Sequence, residues 1–229
     1  MTSIFVTATD TDAGKTFISC ALLTLLAEHG LTAAALKPIS AGAEPSATGF
    51  INEDAKLLSL SVNSKQSIQE INPIVFEQAI APHIAATLKG ETLSVARVNE
   101  VYHRFQHNDC SDISLIEGAG GWLLPLNDNE TLAEFASLQK LPVLLVVDMK
   151  LGCLNHALLT YNAILDAGLS CIGWIANGYR QMPYEDENFS FLTSKINAPC
   201  LGRLGYVESV NEAMSPSSCS RGGATARKR

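Results

Sequence analysis

Apolar and polar positions along the chain recur with two different periods. Ile4–Thr7 is a short run of strand-forming residues, followed by the polar, turn-like segment Thr9–Gly14. From Lys15 the spacing changes. Phe17, Ile18, Ala21, Leu22, Leu25 and Leu26 recur at helical intervals. Gly30 then stands where a helix C-cap belongs. Ala33–Leu36 reads as a second strand, ended by Lys37-Pro38 because the residue before proline is biased away from helix. Strand, loop, helix and strand form a βαβ opening, expected to be parallel and right-handed.

The alternation continues. Glu53–Leu60 reads as helical, and so does Val95–Phe105, with Val95, Val98, Val101, Tyr102 and Phe105 on one face. Ile113–Ile116 is a strand that enters Glu117-Gly118-Ala119-Gly120-Gly121. Val143–Val147 is wholly apolar, as expected for a strand covered on both faces. Asn155–Ala167 is a helix closed by Gly168, and Cys171–Ala176 is another strand. Repeated β-then-α order predicts an α/β fold: a doubly wound, mostly parallel sheet flanked by helices. Ligands of such sheets bind beyond the carboxyl ends of the strands, which is where the polar loops fall.

Composition narrows the function classes. The chain has 229 residues and a formal net charge of −7. That acidity argues against nucleic acid or an anionic membrane as the main partner, so a phosphorylated ligand needs a local cradle. The six cysteines include no Cys-x-x-Cys pair and no metal-ligand spacing, and read as free thiols in a reducing compartment. Met1 runs straight into a strand pattern without a basic leader, and no apolar run approaches the roughly 20 residues of a membrane helix. A cytoplasmic protein is expected. Ser215–Arg229 is small and polar, with four of the 16 basic residues and no acid. Residues 1–214 are therefore expected to form one P-loop α/β domain, and residues 215–229 a basic, disordered tail.

The segment Thr9-Asp10-Thr11-Asp12-Ala13-Gly14-Lys15-Thr16 carries the first chemistry. A Gly-Lys-Thr between a strand and a helix aims backbone N–H groups and the helix dipole at one anion. Lys15 reaches β/γ-phosphates and the Thr16 hydroxyl ligates magnesium in such loops. Thr9 takes the place of the usual first glycine. Asp10 and Asp12 read either as loop caps or as contacts to magnesium or a cationic substrate.

Five further positions qualify as candidates. Glu117, at a strand's carboxyl end before glycines, suits a metal carboxylate as well as a turn. Asp54 reads as a first-turn helix acid. Lys37 is either a strand-end surface lysine or a group that neutralises transferring phosphoryl charge. His83, after Ala81-Pro82, has no partner set around it in the sequence. Asn177 is either a turn residue before Gly178 or an amide that reads an adenine edge. The segment Lys150–Asn155 leads into a helix and offers either an anion-binding N-terminus or an ordinary cap by Asn155.

Together, Thr9–Thr16, Lys37-Pro38, Asp54, Ala81-Pro82-His83, Glu117–Trp122 (EGAGGW), Lys150–Ala157 (KLGCLNHA) and Ala176-Asn177 resemble the dethiobiotin synthetase family, in its order and roughly its spacing, as far as about Gly202. The resemblance implies a homodimeric P-loop NTPase-type fold and an ATP- and Mg2+-dependent ligase. Its substrates would be diaminopelargonic acid and CO2, and its route a carbamate and a carbamic–phosphoric anhydride. It implies that Lys15 and Lys37 neutralise phosphate and carbamate charge. Thr16, Asp54 and Glu117 would ligate magnesium. Asp12, Ala13, Gly14 and Gly118 would lie at the nucleotide, and Asn177 at adenine. Thr11 and the Ala41 position would face the substrate, whose carboxylate would be held by Leu151, Gly152, Cys153, Leu154 and Asn155 of the partner subunit. Ala41 replaces a frequent serine, with Ser40 one place earlier, and Gly205 replaces a frequent proline. A related P-loop amide ligase or amidotransferase is a second reading, against which EGAGGW and KLGCLNHA count. A partition-type ATPase switch is a third; it usually carries an early second lysine, where this loop has Thr9-Asp10-Thr11-Asp12.

Overall fold

A computed structural model describes residues 2–47 and 49–205. The basic tail foreseen over 215–229 lies outside the described residues. The elements run β1 (Thr2–Ala8), α1 (Lys15–Glu28), β2 (Ala33–Leu36), β3 (Ile39–Ser40), β4 (Glu44–Ser46), β5 (Gly49–Ile51), α2 (Glu53–Ser61), α3 (Ile68–Ile71), β6 (Ile74–Val75) and α4 (Pro82–Leu88). They continue α5 (Val95–Asn108), β7 (Ile113–Glu117), α6 (Leu132–Leu138), β8 (Val143–Asp148), α7 (Cys153–Asp166), β9 (Cys171–Asn177), α8 (Glu185–Lys195) and β10 (Cys200–Leu204).

Six strands form one parallel sheet in the order β10-β9-β8-β1-β7-β2. Successive side chains of a strand face opposite sides, so alternate residues feed two cores. Phe5 packs with Ile116, Phe135 and Leu145, whereas Val6 packs with Ile18, Leu115 and Val146. The first core holds the apolar face of α5 together with α6 and α7; the second holds α1 and α2. The parallel register pairs Val6 with Glu117 and Asp148 with Asn177. The carboxyl ends of β1, β7, β8 and β9 therefore meet at one rim, with α1 starting beside them.

At the sheet edge, β2 has no strand on its outer side among the described residues. Two side-chain amides take that place. Asn63 Oδ1 accepts from Ala33 N at 2.6 Å and Gln66 Oε1 from Ala35 N at 3.1 Å, while Gln66 Nε2 donates to Ala35 O at 3.0 Å. Past Pro38 the chain continues into the short parallel pair β3–β6. No helix of the described residues is long and apolar enough to cross a membrane.

Candidate functional site

The phosphate loop closes over the end of β1. Thr9 N donates to Val146 O at 3.0 Å, which fixes the start of the loop against β8. Gly14 caps α1 at φ 88, and a methyl there would lie 2.1 Å from Asn177 Nδ2. Only glycine meets both conditions. Lys15 is buried, with Nζ 2.6 Å from Gly120 O and 3.4 Å from Asp10 O. Burial, and then the nearby Lys37 charge, push its ammonium down to about 8.

Beside the loop, two cations and two acids share a few ångströms. Glu117 ends β7 and is fully buried. Its Oε1 accepts from Thr16 Oγ1 at 2.7 Å and from Lys37 Nζ at 2.7 Å. Its Oε2 is buried without a hydrogen-bond partner among the described residues. Lys37 Nζ also lies 2.9 Å from Asp54 Oδ2. Burial opposes the Lys37 charge, but Glu117 and Asp54 outweigh it, so this ammonium is held above the ordinary lysine value. Asp54 responds in the same way: burial raises its carboxyl, and Lys37 overcomes that and holds it below the ordinary aspartate value. The orphan Glu117 oxygen, the Thr16 hydroxyl and Asp54 form an all-oxygen donor set. Such a set fits Mg2+, a hard cation that takes oxygen ligands.

Neighbours hold these groups in place. Asn52 caps α2 by accepting from Asp54 N at 3.1 Å, and its Nδ2 donates to Ala41 O at 3.0 Å. Asn72 Nδ2 donates to Lys37 O at 2.6 Å. Ser40 Oγ donates to Asn72 Oδ1 at 2.6 Å, so this serine is used internally and does not stand in for a hydroxyl at position 41. Gly118 N donates to Val6 O at 3.0 Å, and a methyl at Gly118 would press on the Phe5 ring at 3.2 Å. Trp122 of the same loop stacks edge-on against Phe5.

Asn177 ends β9, and its Nδ2 donates to Ala13 O at 2.9 Å. Asp12 adopts φ 56, and its carbonyl accepts from Tyr179 OH at 2.7 Å. Thr11 N donates to Asp10 Oδ1 at 2.8 Å, so Asp10 does cap its own loop; its second oxygen pairs with Lys150. Helix α7 begins at Cys153, with Gly152 as its cap at φ 94. That excludes the cap by Asn155, one of the two readings of this segment: Cys153 N already donates to Lys150 O at 2.9 Å, and Asn155 falls within the helix, which starts two residues earlier than the Asn155–Ala167 expected. Leu151 and Asn155 are exposed and Leu154 partly so, while Cys153 is buried. His83 is the second residue of α4, and its Nδ1 is buried without a hydrogen-bond partner among the described residues.

Sequence reasoning missed Asn52, Asn72, Asp148, Lys150 as a side chain, and Tyr179. Asn52 had a readable signal, an asparagine just before an acidic helix start. The Lys150–Asp148 pair is local, but the contacts of Asn72, Asp148, Lys150 and Tyr179 with the loops of the site span 30 or more residues, and no local pattern carries them.

The comparisons agree with this architecture. A family profile described as an AAA domain matches residues 2–214. The ATP-dependent dethiobiotin synthetase BioD of Pseudomonas aeruginosa strain LESB58 is 43% identical over 93% of this chain and 93% of its own length. The protein of that name from Cellvibrio japonicus is 45% identical over 87% of each chain, and the one from Marinobacter nauticus is 41% identical over 96% of this chain and 94% of its own. Among solved structures, the cell division ATPase MinD of Pyrococcus furiosus covers 93% of this chain and 87% of its own at a TM-score of 0.55 and 20% identity. MinD of Aquifex aeolicus gives 0.56 at 13% identity, covering 93% and 86%. These two likenesses show the P-loop fold alone. Identity above 40% across nearly the whole chain shows more: the chain belongs to the ATP-dependent dethiobiotin synthetase family.

Proposed function

We propose that this protein closes a cyclic urea on diaminopelargonic acid with CO2 and ATP, releasing ADP and phosphate. The observation that carries the reading is the contiguous set Lys15, Thr16, Lys37, Asp54 and Glu117 at the mouth of the phosphate loop. Phosphoryl transfer asks a protein for positioning and charge neutralisation rather than a covalent nucleophile, and these residues offer that.

In this reading one substrate amine takes up CO2 as a carbamate and releases a proton. A carbamate oxygen forms a bond to the γ-phosphorus as the bond to ADP breaks. The second amine then attacks the carbonyl carbon, closes the ring and expels phosphate. Lys37 and Lys15 offset the negative charge of carbamate and phosphates as they approach. The backbone of Asp12, Ala13 and Gly14 cradles the phosphates, and Gly118 admits the nucleotide closely. Thr16, Asp54 and Glu117 would hold Mg2+, which would supply neutralising charge to the phosphates. Asn177 meets the base through Oδ1, because its Nδ2 is engaged with Ala13.

Thr11 and Ala41 border the diamine. Leu151, Gly152, Cys153, Leu154 and Asn155, supplied by a second copy of the chain, receive its carboxylate at the α7 N-terminus. The active unit is thus a homodimer, working in the cytoplasm. The test mixes the protein with diaminopelargonic acid, bicarbonate, ATP and Mg2+ and follows cyclic urea and phosphate by mass spectrometry. Urea that requires all four components is the expected result. Phosphate without urea would discard the ligase reading in favour of another ATPase.

A further inference from the structure

Lys150 has no part in the chemistry above, yet it is gripped by two acids. Its Nζ lies 2.7 Å from Asp10 Oδ2 and 3.0 Å from Asp148 Oδ2. Asp148 ends β8 at 1% exposure, and neither of its carboxylate oxygens has a hydrogen-bond partner among the described residues, so the Lys150 ammonium meets it as an ion pair. Leaving a buried carboxylate without its cation is strongly unfavourable, so Asp148 restricts where the Lys150 ammonium can sit. Asp148 N also donates to Thr9 Oγ1 at 3.1 Å. The end of β8 and Lys150 just after it therefore hold two successive residues of the phosphate loop, Thr9 and Asp10.

Asp10 is held on three sides. Oδ1 accepts from Thr11 N at 2.8 Å, Oδ2 accepts from Lys150, and its carbonyl faces Lys15 Nζ at 3.4 Å. Lys15 thus takes its place partly from a peptide whose side chain Lys150 fixes. The Lys150 carbonyl, in turn, accepts from Cys153 N at the first residue of α7. One residue joins the start of α7 to the phosphate loop. Its charge also offsets two carboxylates that would otherwise repel a triphosphate.

We infer that Lys150, braced by Asp148, is a positioning residue: through Asp10 it sets the place of the Lys15 ammonium for ATP. The inference rests on the ligase reading only for its turnover readout. ATP affinity tests it separately.

The experiment compares wild type with Lys150→Met, Lys150→Arg, Asp10→Asn and the Lys150→Met/Asp10→Asn double variant. ATP·Mg affinity is measured by calorimetry, and urea formation with each substrate varied in turn. Lys150→Met should weaken ATP binding and lower kcat, each by about tenfold, since small displacements of catalytic groups are costly. The KM for the diamine should change by less than about twofold. Arg spans the same two acids and should restore most of the loss. The double variant should be no worse than Lys150→Met, because both changes cut one link. If Lys150→Met fails to fold, Asp148→Asn, nearly equal in size, should show a smaller loss in the same direction.

Unchanged ATP affinity and kcat in Lys150→Met, with only a lower Tm, would reduce Lys150 to a structural ion pair and overturn the inference. Losses that multiply in the double variant, or a diamine KM that rises in step, would overturn it too. Wild type that binds ATP but makes no urea would defeat the ligase reading and leave Lys150 to be judged on ATP affinity.

Discussion

Glu117 and Lys37 are both buried, so their charges are worth more to each other than a surface pair would be. Lys37→Gln keeps a hydrogen-bond donor beside Glu117 but removes the charge. Turnover should fall by about 100-fold or more, the order lost when one stabilising donor leaves a reacting oxyanion. The far-ultraviolet circular dichroism should stay as in wild type; normal urea formation by this variant would remove Lys37 from the chemistry. Lys15 gives a pH prediction of definite sign. Its ammonium, lowered to about 8 by burial and by Lys37, is partly neutral above that pH in the free protein, and an arriving phosphate draws the proton back. Metal-free ADP should therefore bind with net proton uptake near pH 8.5 and lose affinity as pH rises further. Calorimetry in buffers of different ionisation enthalpy reads the uptake, and Lys15→Arg should abolish it. The stability contribution has a related sign. The cost of burying this charge is full below about 8 and vanishes above the unfolded lysine value of about 10.5, so this group alone makes the free fold more stable as pH rises through that window. Sequence placed Lys15 by its motif, but it left Lys37 between two readings. What separates them is Glu117 and Asp54 at hydrogen-bond distance, and those residues are far away in the chain.

Among the elements, strands with unbroken apolar runs, such as β8, were readable because burial on both faces removes any need for polar alternation. Helix α6 was not read, although it carries a start signal: Thr131 and Glu134 form a capping box around its first turn. Helix α8 has no side-chain cap, its N-cap Tyr184 being left-handed at φ 56, and only the acids Glu185, Asp186 and Glu187 of its first turn mark its start. Strand β10 mixes Gly202 and Arg203 into a run at the sheet edge, so its apolar pattern is broken. The other edge shows what a strand without an outer neighbour requires. Gln66 takes up both the N–H and the carbonyl of Ala35. Gln66→Ala would leave those groups to partial solvation only, at a cost of roughly 1–3 kcal/mol. Urea unfolding should show the midpoint falling with an unchanged m-value. An unchanged midpoint would mean that water satisfies the edge as well as the amide does.

For the whole molecule, the decisive arrangement is the meeting of carboxyl ends from β1, β7, β8 and β9 at one rim. The order of those strands was not readable, because order depends on crossovers rather than on any single segment's pattern. The same rim presents a feature that one chain does not explain. Leu151 is 94% exposed just before α7, and Leu159 on that helix is 61% exposed. A single exposed leucine is ordinary. Leu151 in the loop proposed to serve a second copy's substrate, with Leu159 on the helix that follows it, would give the proposed homodimer a contact to make. Wild type at micromolar concentration should sediment at twice the chain mass. Leu151→Asp places a charge at that contact, where burial without a partner is costly. It should shift the protein toward monomer, leave ATP binding within about twofold, and lose urea formation, because each monomer would then lack the carboxylate-binding loop of its neighbour. Mixing Leu151→Asp with Lys37→Gln protein should not restore turnover if the aspartate blocks assembly. A wild-type monomer with full turnover would show instead that each chain holds the whole substrate by itself, and Leu151–Asn155 would need another role.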